Sequence, residues 1–418
     1  MIRSLSKKLS VSVERFPISV LFVIGFAVLF FKMIHGDAGD IRYQFRIFIV
    51  VGALISVTVT LFSEDYFSNL KTHGITFLAM LLWGVYCFFL PENAEDVRIG
   101  KNIEIFVIGG AAFLAMFFIS FLKKDQDLVF WNFSMKMLLQ IALACVFGAI
   151  FFGGLSLALV AVESLFGIAV RGMAYGDLAV ICFVLLAPLY FLANIPDKKE
   201  KHNDEIVYGK ALKVLALYIL VPIMAVYAVI LYGYLLKIIA AWELPNGWVS
   251  WLVSALALGG LLIIALLYPI REKNEAAAFI SRWSSLLILP LLLLMTIGIF
   301  RRISDYGITV NRGYVLLLNV WFYSIYIYLF FTRSRHIKWI LISSVVVFLL
   351  TSINVWGVAS VTKNLLIKEV SAVFNKKVST QEAETIFSAM TPDERTRIEG
   401  KLRYLYRRQA QIFVQEFW

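Results

Sequence analysis

The chain has 418 residues, of which 61% are hydrophobic and only 16% charged, with a mean hydropathy of +0.82. A soluble domain carries about 25% charged residues, so this chain has too little polar surface to cover a water-facing globule. Its formal net charge of +11 accompanies long apolar runs, which reads as basic residues flanking membrane spans and not as a nucleic-acid surface.

The first fifteen residues are basic, with Arg3, Lys7, Lys8 and Arg15, and the apolar run 17–34 follows. That run is too long for a signal-peptide core and no small-x-small cleavage site follows it, so it reads as an uncleaved first span. Further runs lie at 44–62, 74–90, 103–122, 137–162, 175–195, 212–236, 248–270, 283–300, 313–332 and 339–360. A spanning helix needs ~20 apolar residues at 1.5 Å rise each. In lipid the backbone must satisfy its own polar groups, and these runs are continuous where barrel strands would alternate, so they predict helices. The fifth run sits inside a longer apolar stretch, Leu128–Val170, with room for a re-entrant turn. The expected fold is an all-α, polytopic transmembrane bundle of about eleven spans over residues 1–362, with a small soluble or membrane-surface helical tail over 363–418.

Placing the N-terminus in the cytoplasm puts roughly twice as many Lys and Arg in the inside segments as in the outside loops. The connection Asp197–Lys213, with Lys198, Lys199, Lys201, Lys210 and Lys213, is the strongest cytoplasmic segment, whereas Pro91–Ile103, with Glu92, Glu95 and Asp96, suits the outside. An odd span count puts the tail outside, against its basic character. In the tail, Ser379 with Glu382 and Thr391 with Glu394 fit capping boxes, and Pro392 takes the favoured first helical position. The second tail helix groups Ile398, Leu402, Leu405, Ile412 and Phe413 near one face, with Arg395, Lys401, Arg403, Arg407 and Arg408 among its polar residues. Such a helix lies on anionic lipid, docks on a protein partner, or simply packs on its neighbour.

Metal and redox chemistry have little support. Cys87, Cys145 and Cys182 all fall inside apolar runs and form no CxxC, which reads as small apolar packing residues. His35, His73, His202 and His336 are scattered over separate connections, with no zinc-type spacing. No phosphate-binding loop, dinucleotide fingerprint or nucleophile elbow is present, so no cofactor is expected. Glycine pairs at 109–110, 153–154 and 259–260 read as close helix packing.

Two connections stand out. Trp242-Glu243-Leu244-Pro245-Asn246-Gly247-Trp248 combines a turn signal with interfacial tryptophans. Arg301–Arg312 carries Arg301, Arg302 and Arg312 against Asp305, with Tyr306 and with Gly307 at a position suited to a tight turn. On the topology above both face outward, where three arginines oppose the positive-inside trend. Arginine's fork holds carboxylate or phosphate, so these residues read either as an anion site or as helix-end anchors. Glu163 and Lys237 reach the same outer level as a candidate ion pair, and Tyr232, Tyr234, Asn319 and Asn354 fall toward it. The asparagines have a plainer reading as hydrogen bonds between helices. The expected ligand-binding set is therefore Glu243, Arg302, Asp305, Tyr306, Arg312, Glu163 and Lys237, with no catalytic or metal residues assigned.

The stretches Glu243–Ser250 and Arg302–Arg312 resemble the domain-of-unknown-function 4153 family of bacterial polytopic membrane proteins, with the Arg302-Ile303, Asp305–Thr309 and Arg312 block the more specific part. The likeness runs from about Lys210 to Ser360. It implies an integral protein of the bacterial inner membrane and carries over no catalytic residues. The leading expectation is transport or ligand binding at a polar site near the outer face, with an anionic or lipid-linked ligand. Two alternatives stand beside it. One is a membrane-embedded enzyme on a lipid-linked substrate, with Glu243 and Asp305 as its acid–base groups. The other is a scaffold or sensor working through the tail and a protein partner.

Overall fold

A computed structural model describes residues 10, 12–36, 41–93, 99–123, 126–202, 208–241, 249–352, 357–373 and 388–407, except for the side chains of 99, 305, 306, 392, 393, 396, 397 and 404–407. Among these residues the regular structure is entirely helical. The principal helices are α1 (Pro17–Ile34), α2 (Tyr43–Ser63), α3 (Asn69–Phe88), α4 (Ile99–Phe118), α5 (Asp127–Phe166), α6 (Gly172–Ala193), α7 (Lys210–Ala241), α8 (Val249–Leu267), α9 (Glu275–Tyr306), α10 (Val310–Phe331), α11 (Lys338–Ser352), α12 (Val358–Val373) and α13 (Pro392–Arg407).

Among the described residues, nine of these helices are long and apolar enough to cross a membrane. Each expected span overlaps a helix, the last, 339–360, running from α11 across residues outside the described set into α12, and α3 and α11 fall outside the nine. Helix α3 has the length, and its polar opening, Asn69-Leu70-Lys71-Thr72-His73, dilutes its apolar character. Helix α11 has 15 residues among those described, against the ~20 that a bilayer core requires. The stretch with room for a re-entrant turn is one continuous helix: α5 runs 40 residues, or about 60 Å, twice a hydrocarbon core. It ends where Gly167 takes a left-handed conformation (φ 66°) and its N–H bonds the Glu163 carbonyl at 3.0 Å.

Two helices widen midway. Val180–Leu186 in α6 and Val214–Leu220 in α7 are π-helical, and each is followed two residues later by proline, Pro188 and Pro222. Proline has no N–H for the α-helical ladder and crowds the preceding turn. A turn with bonds reaching five residues back, as from Ala187 N–H to Cys182 O, accommodates it.

The chain divides into two compact units. The first contains 1–97 and 105–206, and the second 98–104 and 207–418. In the first, α2 packs on α1 and α3, and α6 packs on α1 and α5. Its polar contacts are those of helices in lipid: Ser56 Oγ donates to Ser19 Oγ at 2.8 Å, and Thr58 Oγ1 to the Ala112 carbonyl at 2.7 Å. In the second, α9 lies between α8 and α10, and α12 joins α10 to α13. Tyr326 is fully buried there and donates its hydroxyl to the Ala257 carbonyl across the α10–α8 contact. The expected boundary between bundle and tail, at 362/363, falls within α12.

Candidate functional site

The arginine-rich connection forms a turn at one end of the second unit. Helix α9 stops at Tyr306 because Gly307 adopts φ 74° and ψ 175°, a backbone conformation essentially confined to glycine. Helix α10 then starts under a Thr309 cap, whose hydroxyl faces the Arg312 N–H at 3.4 Å. The Arg312 side chain folds back across the turn, its Nη1 donating to the Gly307 carbonyl. Gly307 is buried, and Lys401 of α13 covers it: a Cβ on Gly307 would stand 3.2 Å from Lys401 Cε. Lys401, itself buried, pairs with Glu369 of α12 at 2.6 Å. Helix α12 approaches α10 closely at Gly313, where a Cβ would come within 2.5 Å of Val358 Cγ1. The tail helix is thus packed onto the turn, with Ile398 on its buried side. Its start is the expected capping box: Glu394 Oε2 accepts from the Thr391 N–H at 3.1 Å, and Thr391 Oγ1 faces the Glu394 N–H at 3.4 Å.

The structure places the expected site residues unevenly. Arg302 is exposed and Arg301 and Arg312 half-buried around the turn, with Lys401 a fourth cation that sequence reasoning left in the tail. Asp305 and Tyr306 belong to the last turn of α9, and their side chains are outside the described set. Glu243, Trp242, Trp248, Asn354, Ser379 and Glu382 lie outside the described residues. Glu163 is exposed near the end of α5 in the first unit; Lys237 is exposed on α7 in the second. Tyr232 donates to the Leu287 carbonyl and so ties α7 to α9. Asn319 is buried, donating to the Leu292 carbonyl at 3.2 Å and accepting from Thr296 Oγ1 at 2.9 Å, the helix-to-helix role of its plainer reading.

A second polar cluster, in the first unit, escaped sequence reasoning. Arg15 grips Glu64 with both arms of its fork, Nε to Oε2 and Nη2 to Oε1, each at 2.9 Å. The same guanidinium donates to the Ile195 and Pro196 carbonyls at 2.9 Å. Lys201, 0% exposed, donates to the Leu61 carbonyl at 2.7 Å and to Glu64 Oε1 at 3.0 Å, and its ammonium lies 2.8 Å from Asp65 Oδ2 as an ion pair. His202 Nε2 lies 3.2 Å from Asp65 Oδ1. Two carboxylates therefore balance the half-buried Arg15 and the buried Lys201, and Phe16, Phe121 and Phe133 are buried in the same unit. The network clasps the segment before α1, the end of α2 and the connection after α6 at one end of the first unit. The available signal was Glu64-Asp65 directly after an apolar run. Its partners lie 49 and 137 residues away, a pairing that no local pattern reveals.

Among the described residues no group of three His, Cys, Asp or Glu side chains could hold a metal. Of the free cysteines, Cys87 and Cys182 are buried, as packing residues should be, while Cys145 is exposed on α5.

A helical chain with this many apolar, membrane-length segments and with polar clusters at helix ends is a multi-pass integral membrane protein. The chain belongs to the family described as Domain of unknown function (DUF4153), whose sequence model matches residues 19–377. The match extends beyond the stretch 210–360 that carried the resemblance, into the first unit and through α12. An uncharacterized protein of Pasteurella multocida (strain Pm70), PM1469, is 25% identical over 321 residues, covering 76% of this chain and 52% of that protein. The chain thus spans about half the length of that relative. No solved structure matches.

Proposed function

We propose that this chain is a transport or ligand-binding protein of the bacterial inner membrane that takes an anionic ligand at the α9–α10 turn. The observation that supports this reading is the glycine-only turn with Arg312 folded over it and Lys401, paired with Glu369, packed against it from the tail helix, while Arg301 and the exposed Arg302 lie in the last turns of the helix that leads into it. Guanidinium forks suit phosphate and carboxylate. A cationic mouth at the end of apolar helices raises the local concentration of anions. In this reading the N-terminus and the Arg15–Glu64–Lys201 clasp lie on the cytoplasmic side and the arginine turn on the outer side. The tail helix is then part of the site, through Lys401 against Gly307.

The test is a proteoliposome flux and binding assay with organic phosphates, carboxylates and lipid headgroups. Wild type should show saturable binding or flux for one anion class. Arg302→Gln should weaken it about tenfold, the scale of one lost charge-assisted contact, with melting unchanged because Arg302 is exposed. Absence of saturable binding for every anion class would refute the proposal.

A further inference from the structure

The opposite end of α10 holds a different basic feature. After Phe331 the chain turns into α11 through Arg333 and Ser334, both with positive φ, 52° and 55°. These are the only non-glycine residues with positive φ among the described residues. Consecutive left-handed residues are costly for side chains with a Cβ and persist where the surroundings over-determine them. Here the surroundings do. Ser334 is buried; its N–H bonds the Leu329 carbonyl at 2.7 Å, its hydroxyl donates to the Ser281 carbonyl at 3.0 Å, and its own carbonyl accepts from Arg271 Nη1. Arg271 lies 4.3 Å above the Tyr268 ring, and the Tyr268 hydroxyl donates to the Arg335 carbonyl at 3.1 Å.

Five contacts, four hydrogen bonds and one cation–ring contact, hold this one short turn. Its result is that Arg333, Arg335 and His336 line one cavity of about 270 Å³ with Thr332 and Phe331, and no carboxylate is among its lining residues. Phe331 and Trp339 are exposed on either side, the pattern of an aromatic belt at the membrane–water boundary. We propose that Arg333, Arg335 and His336 form a pocket for a phosphate group at this end of α10, and that a membrane phospholipid supplies it. Two arginine forks and an imidazole offer the donors that phosphate oxygens need, and Thr332 adds a hydroxyl. The flanking aromatic residues set the pocket at headgroup depth. The inference rests on a turn about 33 Å along α10 from the arginine turn, so it stands or falls independently of the function proposed above.

The experiment uses the purified full chain in a neutral maltoside detergent. Its titrants are dioctanoyl phosphatidylglycerol, dioctanoyl phosphatidylcholine and inorganic phosphate, with affinity read by calorimetry. Phosphatidylglycerol should bind saturably and more tightly than phosphatidylcholine. R333N/R335Q should lose about tenfold in affinity while R282Q, an exposed arginine outside the cavity, should not. Asparagine is chosen at 333 because it tolerates the left-handed backbone; R335Q alone serves if the double variant fails to fold. Headgroup binding without inorganic phosphate binding supports the membrane source, and equal binding of both supports a phosphate pocket open to soluble ligand. No saturable binding of either probe, or an equal loss in R282Q, overturns the proposal.

Discussion

At the scale of single residues, burial separates ion pairs that look alike in sequence. Arg42–Glu92 is a 3.0 Å pair with both side chains more than half exposed, while Glu64 serves Arg15 and the wholly buried Lys201. Removing one partner of a buried pair leaves an uncompensated charge, at a cost of about 3–5 kcal/mol. Glu64→Gln should therefore lower the melting temperature in detergent sharply. Glu92→Gln should cost no more than ~1 kcal/mol, as exposed pairs do. Similar losses from the two variants in a thermal-shift series would show that the clasp is not a structural tie. Gly307 is the second residue whose identity the backbone dictates. Gly307→Ala meets both the φ of 74° and the side chain of Lys401, so it should destabilise the turn by ~1–3 kcal/mol. It should also speed proteolysis of α13. A protected tail in that variant would separate the turn from tail docking. Neither residue's partner was readable beforehand: Gly307 announced a turn, but nothing in the local sequence announced Lys401.

At the scale of elements, periodicity and caps were legible where local chemistry alone decides them. The Thr391–Glu394 box is an example, because its two hydrogen bonds join residues three apart. Thr391→Ala should cost α13 about 1 kcal/mol, visible as faster hydrogen exchange over residues 391–400. The glycine pairs show the opposite. All three read as packing sites, yet the structure distinguishes them. A Cβ on Gly260 would meet Tyr326 Oη at 2.6 Å and Ile288 Cδ1 at 2.7 Å, and Gly109 lies in ordinary contact distance of Val51, while Gly110, Gly153 and Gly154 have open space around them. Gly260→Ala should thus destabilise by about 1–3 kcal/mol through overpacking. Gly154→Ala should be neutral or stabilising, since alanine is the better helix former. A neutral Gly260→Ala in the same melting assay would show that the α8–α10 contact is loose. Sequence could not separate these cases, because a small residue permits close approach without stating whether a neighbour arrives. The length of α5 was likewise hidden: an apolar stretch of that size carries no signal that chooses between a turn and a single long helix.

At the scale of the whole molecule, the class was legible from composition and the family from the 302–312 block. The grouping of connections was legible only through topology. Placing the N-terminus inside puts Arg15, Glu64-Asp65 and Lys198–His202 on one side, and the structure brings those three segments into direct contact. The sidedness itself remains a prediction from charge, and the proposed anion site depends on it. Impermeant maleimide labelling tests both together, in a background with Cys87, Cys145 and Cys182 replaced by alanine. Single cysteines go in at Lys199, beside the clasp, and at Ser304, beside the arginine turn, both exposed positions. In intact cells Ser304→Cys should label and Lys199→Cys should label only after permeabilisation. Labelling of Lys199→Cys in intact cells would contradict a cytoplasmic clasp, and labelling of Ser304→Cys only after permeabilisation would contradict an outward-facing arginine turn.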